Sequence, residues 1–262
     1  MNTLKNTLKG KKHIGIYFQS WCSKWVNDNV SHELININEP FNVCYICFVH
    51  PLCNYVAKSY SFHETGLDFS SDFKTIKNTI KIMREKNIVV MLSVGGSDYS
   101  FRKFNSINIA NLCVDLGCDG IDIYTSEIMK KESDINLCNI VHNIRKNLRY
   151  KFISISIFQL SDTERYIDVL KNNGFQLDWV NINGSTENVT ELFSVCDFYK
   201  NYFKGLITLG FKISTILDVN ILKNLKYTDI DLCKNGIVIC SYKNEDNVIY
   251  IEIIETINSL YI

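Results

Sequence analysis

Two stretches of the chain carry side chains whose types and spacing could do chemistry together. One reads Ser93-Val94-Gly95-Gly96, the other Asp119-Gly120-Ile121-Asp122-Ile123-Tyr124-Thr125-Ser126-Glu127. Each contains or follows a short apolar run rich in β-branched residues, so both read as strand ends. Side chains alternate faces along a strand, which sends Asp122, Tyr124 and Ser126 one way and Ile121 and Ile123 the other. A carboxylate at 122 is then buried, and a buried charge needs a partner. Ser93 on the neighbouring strand and Tyr124 are the expected partners. Carboxylates at a strand end suit general acid–base work. Glu127 has the wrong parity for it: it points away from Asp122 unless a one-residue bulge turns it inward. Without the bulge it is a solvated Glu at the start of a loop.

The elements that must position these residues recur along the chain. Eight nearly continuous apolar runs read as strands: His13–Gln19, Val43–His50, Ile88–Gly96, Gly120–Thr125, Lys151–Phe158, Trp179–Ser185, Lys204–Phe211 and Gly236–Tyr242. Such runs are expected where both sheet faces are covered, as in parallel sheets. Amphipathic stretches lie between them. Phe69–Lys86 puts Phe73, Ile76, Ile80 and Met83 on one face, and Asp134–Leu148, Val189–Phe203 and Val248–Leu260 also read as helices. Val26–Ile37 reads as a short helix or mostly loop. Eight strands in 262 residues give about 33 residues per strand-plus-helix unit, the size of a (β/α)8 TIM barrel. The competing open, doubly wound sheet lacks its dinucleotide signature, because residues 17–22 read YFQSWC rather than GxGxxG. The chain shows no linker or composition shift, so residues 1–262 are expected to form one barrel domain.

Composition narrows the function classes. Lys plus Arg and Asp plus Glu each total 28, so there is no basic excess for nucleic acid. No apolar run approaches the ~18 residues of a membrane span. Met1–Lys12 is polar and basic and lacks the apolar core of a signal peptide, so an intracellular location is expected, and secretion only for a processed form. The ten cysteines then read as reduced core residues. Cys44 and Cys47 form a lone CxxC whose members point to opposite strand faces, and the five histidines (13, 32, 50, 63 and 142) are scattered. No metal and no cofactor is expected. The sequons at Asn29, Asn183 and Asn188 matter only in a secreted chain.

A barrel keeps its chemistry at the C-terminal ends of its strands. Those ends offer Gln19, Ser20 and Trp21; His50; Ser97 and Asp98; Tyr124, Ser126 and Glu127; Gln159; Asn181 and Asn183; Lys212; Tyr242 and Lys243. This polar and aromatic rim suits sugars better than phosphates, although Lys212 and Lys243 leave phosphate open. Trp21, Tyr124, Gln159, Asn181, Asn183 and Tyr242 are the candidate ligand-binding residues.

The SxGG and DGxDxDxE patterns, in this order on the third and fourth strands, resemble family 18 glycoside hydrolases, the chitinase family, in its compact plant-type and narbonin-like branch. Ser93, Gly95, Gly96, Asp119, Gly120 and Asp122 match. The resemblance implies a TIM barrel and substrate-assisted cleavage of N-acetylglucosamine polymers, in which a Glu protonates the leaving oxygen. The departures fall on the chemistry. Tyr124 and Ser126 stand where the family has Asp and the proton-donating Glu, and a serine hydroxyl is far too weak an acid for that task. Asn183 falls where the branch has a Tyr that holds the N-acetyl group, and Cys240 falls where the sugar site has a Trp floor. Asp119, Asp122, Tyr124, Ser126, Asn183 and Cys240 are thus the positions of a degenerate site.

Three readings follow. The first is a non-catalytic chitinase-like protein whose barrel mouth binds an N-acetylglucosamine-containing oligosaccharide or a protein partner. The second is a structural, storage or assembly protein on the same scaffold. The third is an active glycosidase that uses Glu127. Neither nucleic acid nor membrane is an expected partner.

Overall fold

The computed structural model describes residues 8, 11–23, 25–26, 32–96, 99–125, 136–158, 163–185, 189–213, 215–224, 236–240 and 247–261. Eight parallel strands close into a barrel in sequence order: β1 (His13–Gln19), β2 (Val43–Val49), β3 (Val89–Gly95), β4 (Gly120–Tyr124), β5 (Phe152–Phe158), β6 (Trp179–Ser185), β7 (Leu206–Lys212) and β8 (Gly236–Cys240). The ring is sealed by β1 against β8, with Ile14 opposite Ile237. The fold is therefore a single (β/α)8 TIM barrel rather than an open sheet.

Seven α-helices among the described residues surround it: α1 (Phe73–Glu85), α2 (Ser106–Leu116), α3 (Leu137–Asn147), α4 (Thr163–Asn173), α5 (Val189–Lys200), α6 (Ile216–Asn224) and α7 (Asn247–Tyr261). None is long and apolar enough to cross a membrane. The helix expected over Phe69–Lys86 starts only at Phe73, because Asp72 caps it by accepting from Thr75 N at 2.7 Å. Its four apolar residues Phe73, Ile76, Ile80 and Met83 are all buried. Asn105 and Asn136 cap α2 and α3 in the same way. Between β1 and β2 the described residues form only short 3-10 turns, at Ser20–Cys22 and Glu33–Asn36. Of Val26–Ile37, expected as a short helix or mostly loop, residues 27–31 lie outside the described residues.

Strand alternation divides the core into two layers. Cys44, Ile121, Ile123, Ile155 and Ile182 face outward and pack in the shell between sheet and helices. Tyr17, Tyr45, Cys47, Met91, Trp179 and Cys240 face inward and fill the barrel. Cys44 and Cys47 thus point to opposite faces, as their spacing predicts. All nine described cysteines are free thiols.

Candidate functional site

The site is built around Asp122, midway along β4 and fully buried. Strand register places Ser93 of β3 and Ser154 of β5 directly beside it. Ser93 donates to Oδ2 at 2.9 Å, while Ser154 and Ser156 donate to Oδ1 at 2.7 and 2.8 Å. Tyr17 crosses the interior from β1 to reach Oδ2 at 3.0 Å. Asn181 of β6 closes the ring, donating to Ser156 at 2.8 Å and lying 3.4 Å from Oδ1. Ser93 is the expected partner. Tyr124, the other one, forms no hydrogen bond with Asp122. Tyr17, Ser154, Ser156 and Asn181 are the partners that sequence reasoning missed. Their signal was inward parity on their own strands.

No cation touches this ring among the described residues. Burial pushes the Asp122 carboxyl above the usual carboxylate range, against the pull of the hydroxyls donated by Ser154, Ser156, Ser93 and Tyr17. Tyr17 and Ser156 also lie 2.7 Å apart, which ties the ring of hydroxyls together. Asp122 is thus held beneath the mouth by hydroxyl and amide donors, while burial favours its protonated form.

Tyr124 faces inward directly above it. Its ring sits 5.4 Å from that of Tyr17, edge to face, and 4.8 Å from that of Phe48. Below, Tyr17 stacks on Tyr45 with centroids 4.6 Å apart. Above, Trp21 lies over Phe48 at 6.0 Å and keeps 47% of its surface exposed. Among the described residues, the mouth is therefore floored by rings. The glycines after Ser93 make this floor possible. Gly95 and Gly96 have φ of +119° and +117°, and a Cβ on Gly96 would meet the Phe48 ring at 3.0 Å.

The other candidate positions are distributed unevenly. Asn183 is buried, accepting from Cys240 Sγ at 3.5 Å, and its side chain occupies the space left by Gly210, where a Cβ would lie 1.9 Å from Asn183 Oδ1. Its sequon is thus inside the barrel. Burial raises the Cys240 thiol far above its ordinary range, so it stays protonated. Asn181 is fully buried and committed to Ser156, Thr208 and Tyr45, which makes it part of the interior network rather than of the rim. Asp119 points the other way from Asp122. It pairs with Arg84 at 2.8 Å and accepts from Val90 N at 3.0 Å at the start of β4, away from the mouth. Ser126, Glu127, Gln159 and Tyr242 lie outside the described residues, as do Ser97, Asp98 and Lys243. Among the described residues no three His, Cys, Asp or Glu side chains gather as a metal site would require.

No protein-family profile matches the chain, and no curated protein matches it. Solved structures do. A family 18 chitinase from Pseudoalteromonas aurantia aligns with a TM-score of 0.67 and 19% identity, over 94% of this chain and 99% of that one. Concanavalin B aligns with a TM-score of 0.63 and 13% identity, over 93% and 98%. A xylanase–α-amylase inhibitor protein solved in complex with trehalose aligns at 0.56 and 12% identity, over 87% and 92%. These identities carry the likeness as one of fold. With Ser93, Gly95, Gly96 and Asp122 in their motif positions on β3 and β4, the chain has a family 18 chitinase-like fold.

Proposed function

We propose that this protein is a non-catalytic chitinase-like binder that takes an N-acetylglucosamine-containing oligosaccharide at its barrel mouth. The observation that carries this reading is Tyr124. The motif resemblance puts an acid at that position, and here a phenol ring packs against Tyr17 and Phe48 in its place. A ring floor beneath the half-exposed Trp21 suits the apolar face of a pyranose, which stacks on aromatic side chains. Asp122, fully encased, has no exposed oxygen to offer a substrate. A fold relative solved with trehalose supports a sugar as the class of ligand.

The test pairs calorimetric titration of chito-oligosaccharides with a fluorogenic hydrolysis assay. Binding without turnover, weakened at least about tenfold by Trp21→Ala, is the expected result. Turnover by the wild type that disappears in Glu127→Gln would establish the hydrolase reading instead. Neither binding nor turnover would leave the structural or storage reading.

A further inference from the structure

The end of the barrel opposite the mouth gathers a positive charge that the whole chain does not have. Each helix runs back along the barrel, so the turns that lead into β5, β6 and β7 all lie at this end. Residues 145–151, 171–178 and 200–206 form those turns and the helix ends before them. They hold seven Lys and Arg and one acid, in a chain whose net charge is zero. The acid is Asp178, paired with Arg145 at 2.8 Å. Asp168 and Asp197 stand further back along α4 and α5, and Asp197 is paired with Lys200 at 3.1 Å. Lys151 donates to the Cys118 carbonyl. Lys146, Arg149, Lys171 and Lys204 remain exposed, and none of them forms an ion pair among the described residues. Helix C-termini favour cations, which accounts for Lys146, Lys171 and Lys200 in the last turns of α3, α4 and α5. It does not account for Arg149 and Lys204, which lie beyond the helices.

Two aromatic rings stand among these cations. Phe175 is 83% exposed, more than any other large apolar side chain among the described residues, and Tyr150 is 67% exposed. Both sit in turns that are firmly held. The Arg145 guanidinium donates to Gln176 O at 3.1 Å and to Lys151 O at 2.7 Å, so one side chain fastens the Phe175 turn to the Tyr150 turn. Lys171 lies over the Tyr202 ring at 5.1 Å, and a Cβ on Gly174 would meet the Phe203 ring at 3.4 Å, which joins the Phe175 turn to the one that carries Lys204. A single exposed apolar side chain is ordinary. Two rings on adjoining turns, pinned by one guanidinium and flanked by four exposed cations, form a surface with both an apolar and an electrostatic demand.

From this we infer that the N-terminal end of the barrel is a peripheral docking surface for an anionic lipid bilayer. Phe175 and Tyr150 enter the headgroup region, and Lys146, Arg149, Lys171 and Lys204 face the lipid charge. The expectation of no membrane partner follows from the even charge totals and the lack of a spanning run, and a local excess at one end escapes both. A nucleic acid would also answer to the cations, but bases stack along a groove, whereas these rings stand on turns that project from the barrel end.

Flotation of the full chain with vesicles of phosphatidylcholine containing about 30% phosphatidylserine tests this, against vesicles of phosphatidylcholine alone. Binding to the anionic vesicles is expected, at least about tenfold tighter than to the neutral ones, and lost as salt is raised from about 0.1 M to about 1 M. Lys146→Glu with Arg149→Glu should weaken it at least about tenfold, since each cation at such a surface contributes about fivefold. Phe175→Ser with Tyr150→Ser leaves the charge unchanged and should also weaken it about tenfold. All four positions are exposed, so the melting transition of each variant should stay at that of the wild type. Absence of binding, equal binding to the two vesicle types, or ring variants that bind as the wild type does would each overturn the assignment. Tighter binding of single-stranded polyuridylate than of vesicles, weakened by the same variants, would give the surface to nucleic acid instead. Trp21→Ala at the mouth should bind vesicles as the wild type does, so failure here leaves the reading of the mouth standing, and failure at the mouth leaves this one.

Discussion

Tyr17 reaches from the first strand to the fourth, its hydroxyl 3.0 Å from Oδ2 of Asp122 and 2.7 Å from the Ser156 hydroxyl. One phenol thus ties three strands together at the barrel centre, under the ring of Tyr124. Removing that oxygen with Tyr17→Phe leaves Asp122 and Ser156 each one partner short in a site without water access. We expect a loss of about 1–2 kcal/mol in urea unfolding. Tyr124→Phe is the matched control, since the Tyr124 hydroxyl bonds to no described residue, and it should stay within about 0.5 kcal/mol of wild type. Equal losses in the two variants would contradict the network.

The raised pKa of Asp122 has a pH signature. Its folded pKa is raised by burial above the unfolded value. Between those two values the native chain holds the proton and the unfolded chain does not. This contribution to stability is therefore fully present below the unfolded carboxylate range, near about 4, and is lost as pH rises toward the folded value. Asp122→Asn keeps the shape and the hydrogen-bonding capacity but cannot ionise. The stability gap between wild type and Asp122→Asn should thus shift in favour of Asn as pH is raised from acid to neutral. Urea titrations across that window check the sign. A gap that moves the other way would mean that Asp122 is ionised in the fold.

Two glycines separate backbone freedom from close packing. Gly95 combines φ of +119° with a Cβ position 2.2 Å from the Tyr124 carbonyl oxygen and 2.7 Å from the Phe101 ring. Gly117, at φ +81°, ends α2 in open space with nothing within 4 Å. Gly117→Ala should cost only the left-handed backbone penalty, about 1 kcal/mol. Gly95→Ala should cost about 3 kcal/mol or more, because the clash falls on backbone that cannot move aside. Thermal unfolding of the two variants gives the comparison directly.

Much of the barrel was legible because its strands are continuous apolar runs with few competing signals. The expected Trp179–Ser185 coincides with β6, and Lys204–Phe211 differs from β7 by no more than two residues at either end. The helix over Ser106–Leu116 was harder to read. Its apolar residues run around the whole circumference, leaving Ile107 and Val114 exposed, so no single face stands out. The site divides in the same way. Ser93 beside Asp122 follows from adjacent strands in register. The reach of Tyr17 and Asn181 depends on how the barrel closes, which brings β1 and β6 to β4 across the interior, and pair-by-pair strand reading does not contain that geometry. Parity alone also placed Asn181 on the rim, whereas its depth along β6 puts it in the network below.

On the proposed non-catalytic reading, the mouth should resist single repair. Ser126→Glu supplies a carboxylic acid at the position that the motif assigns to proton donation, and general acid catalysis is worth about 10²–10⁴-fold where the rest of the site is in place. Here it is not. Tyr124 fills the neighbouring inward position with a ring held by Tyr17 and Phe48, so no second carboxylate tunes the new acid. Asn183, expected where the resemblance implies an N-acetyl-holding Tyr, is turned into the space above Gly210 and bonded by Cys240. Substrate assistance requires the N-acetyl oxygen to be held against the anomeric carbon, and misplacement of a reacting group by ~1 Å costs about a hundredfold. Ser126→Glu alone is therefore expected to show no turnover of fluorogenic chito-oligosaccharides, while Ser126→Glu combined with Tyr124→Asp and Asn183→Tyr addresses three of the four departures and leaves only the Cys240 position. Turnover by the single variant would mean that the mouth already holds its substrate as an enzyme does, and the binding reading would give way to that of a hydrolase lacking only its acid.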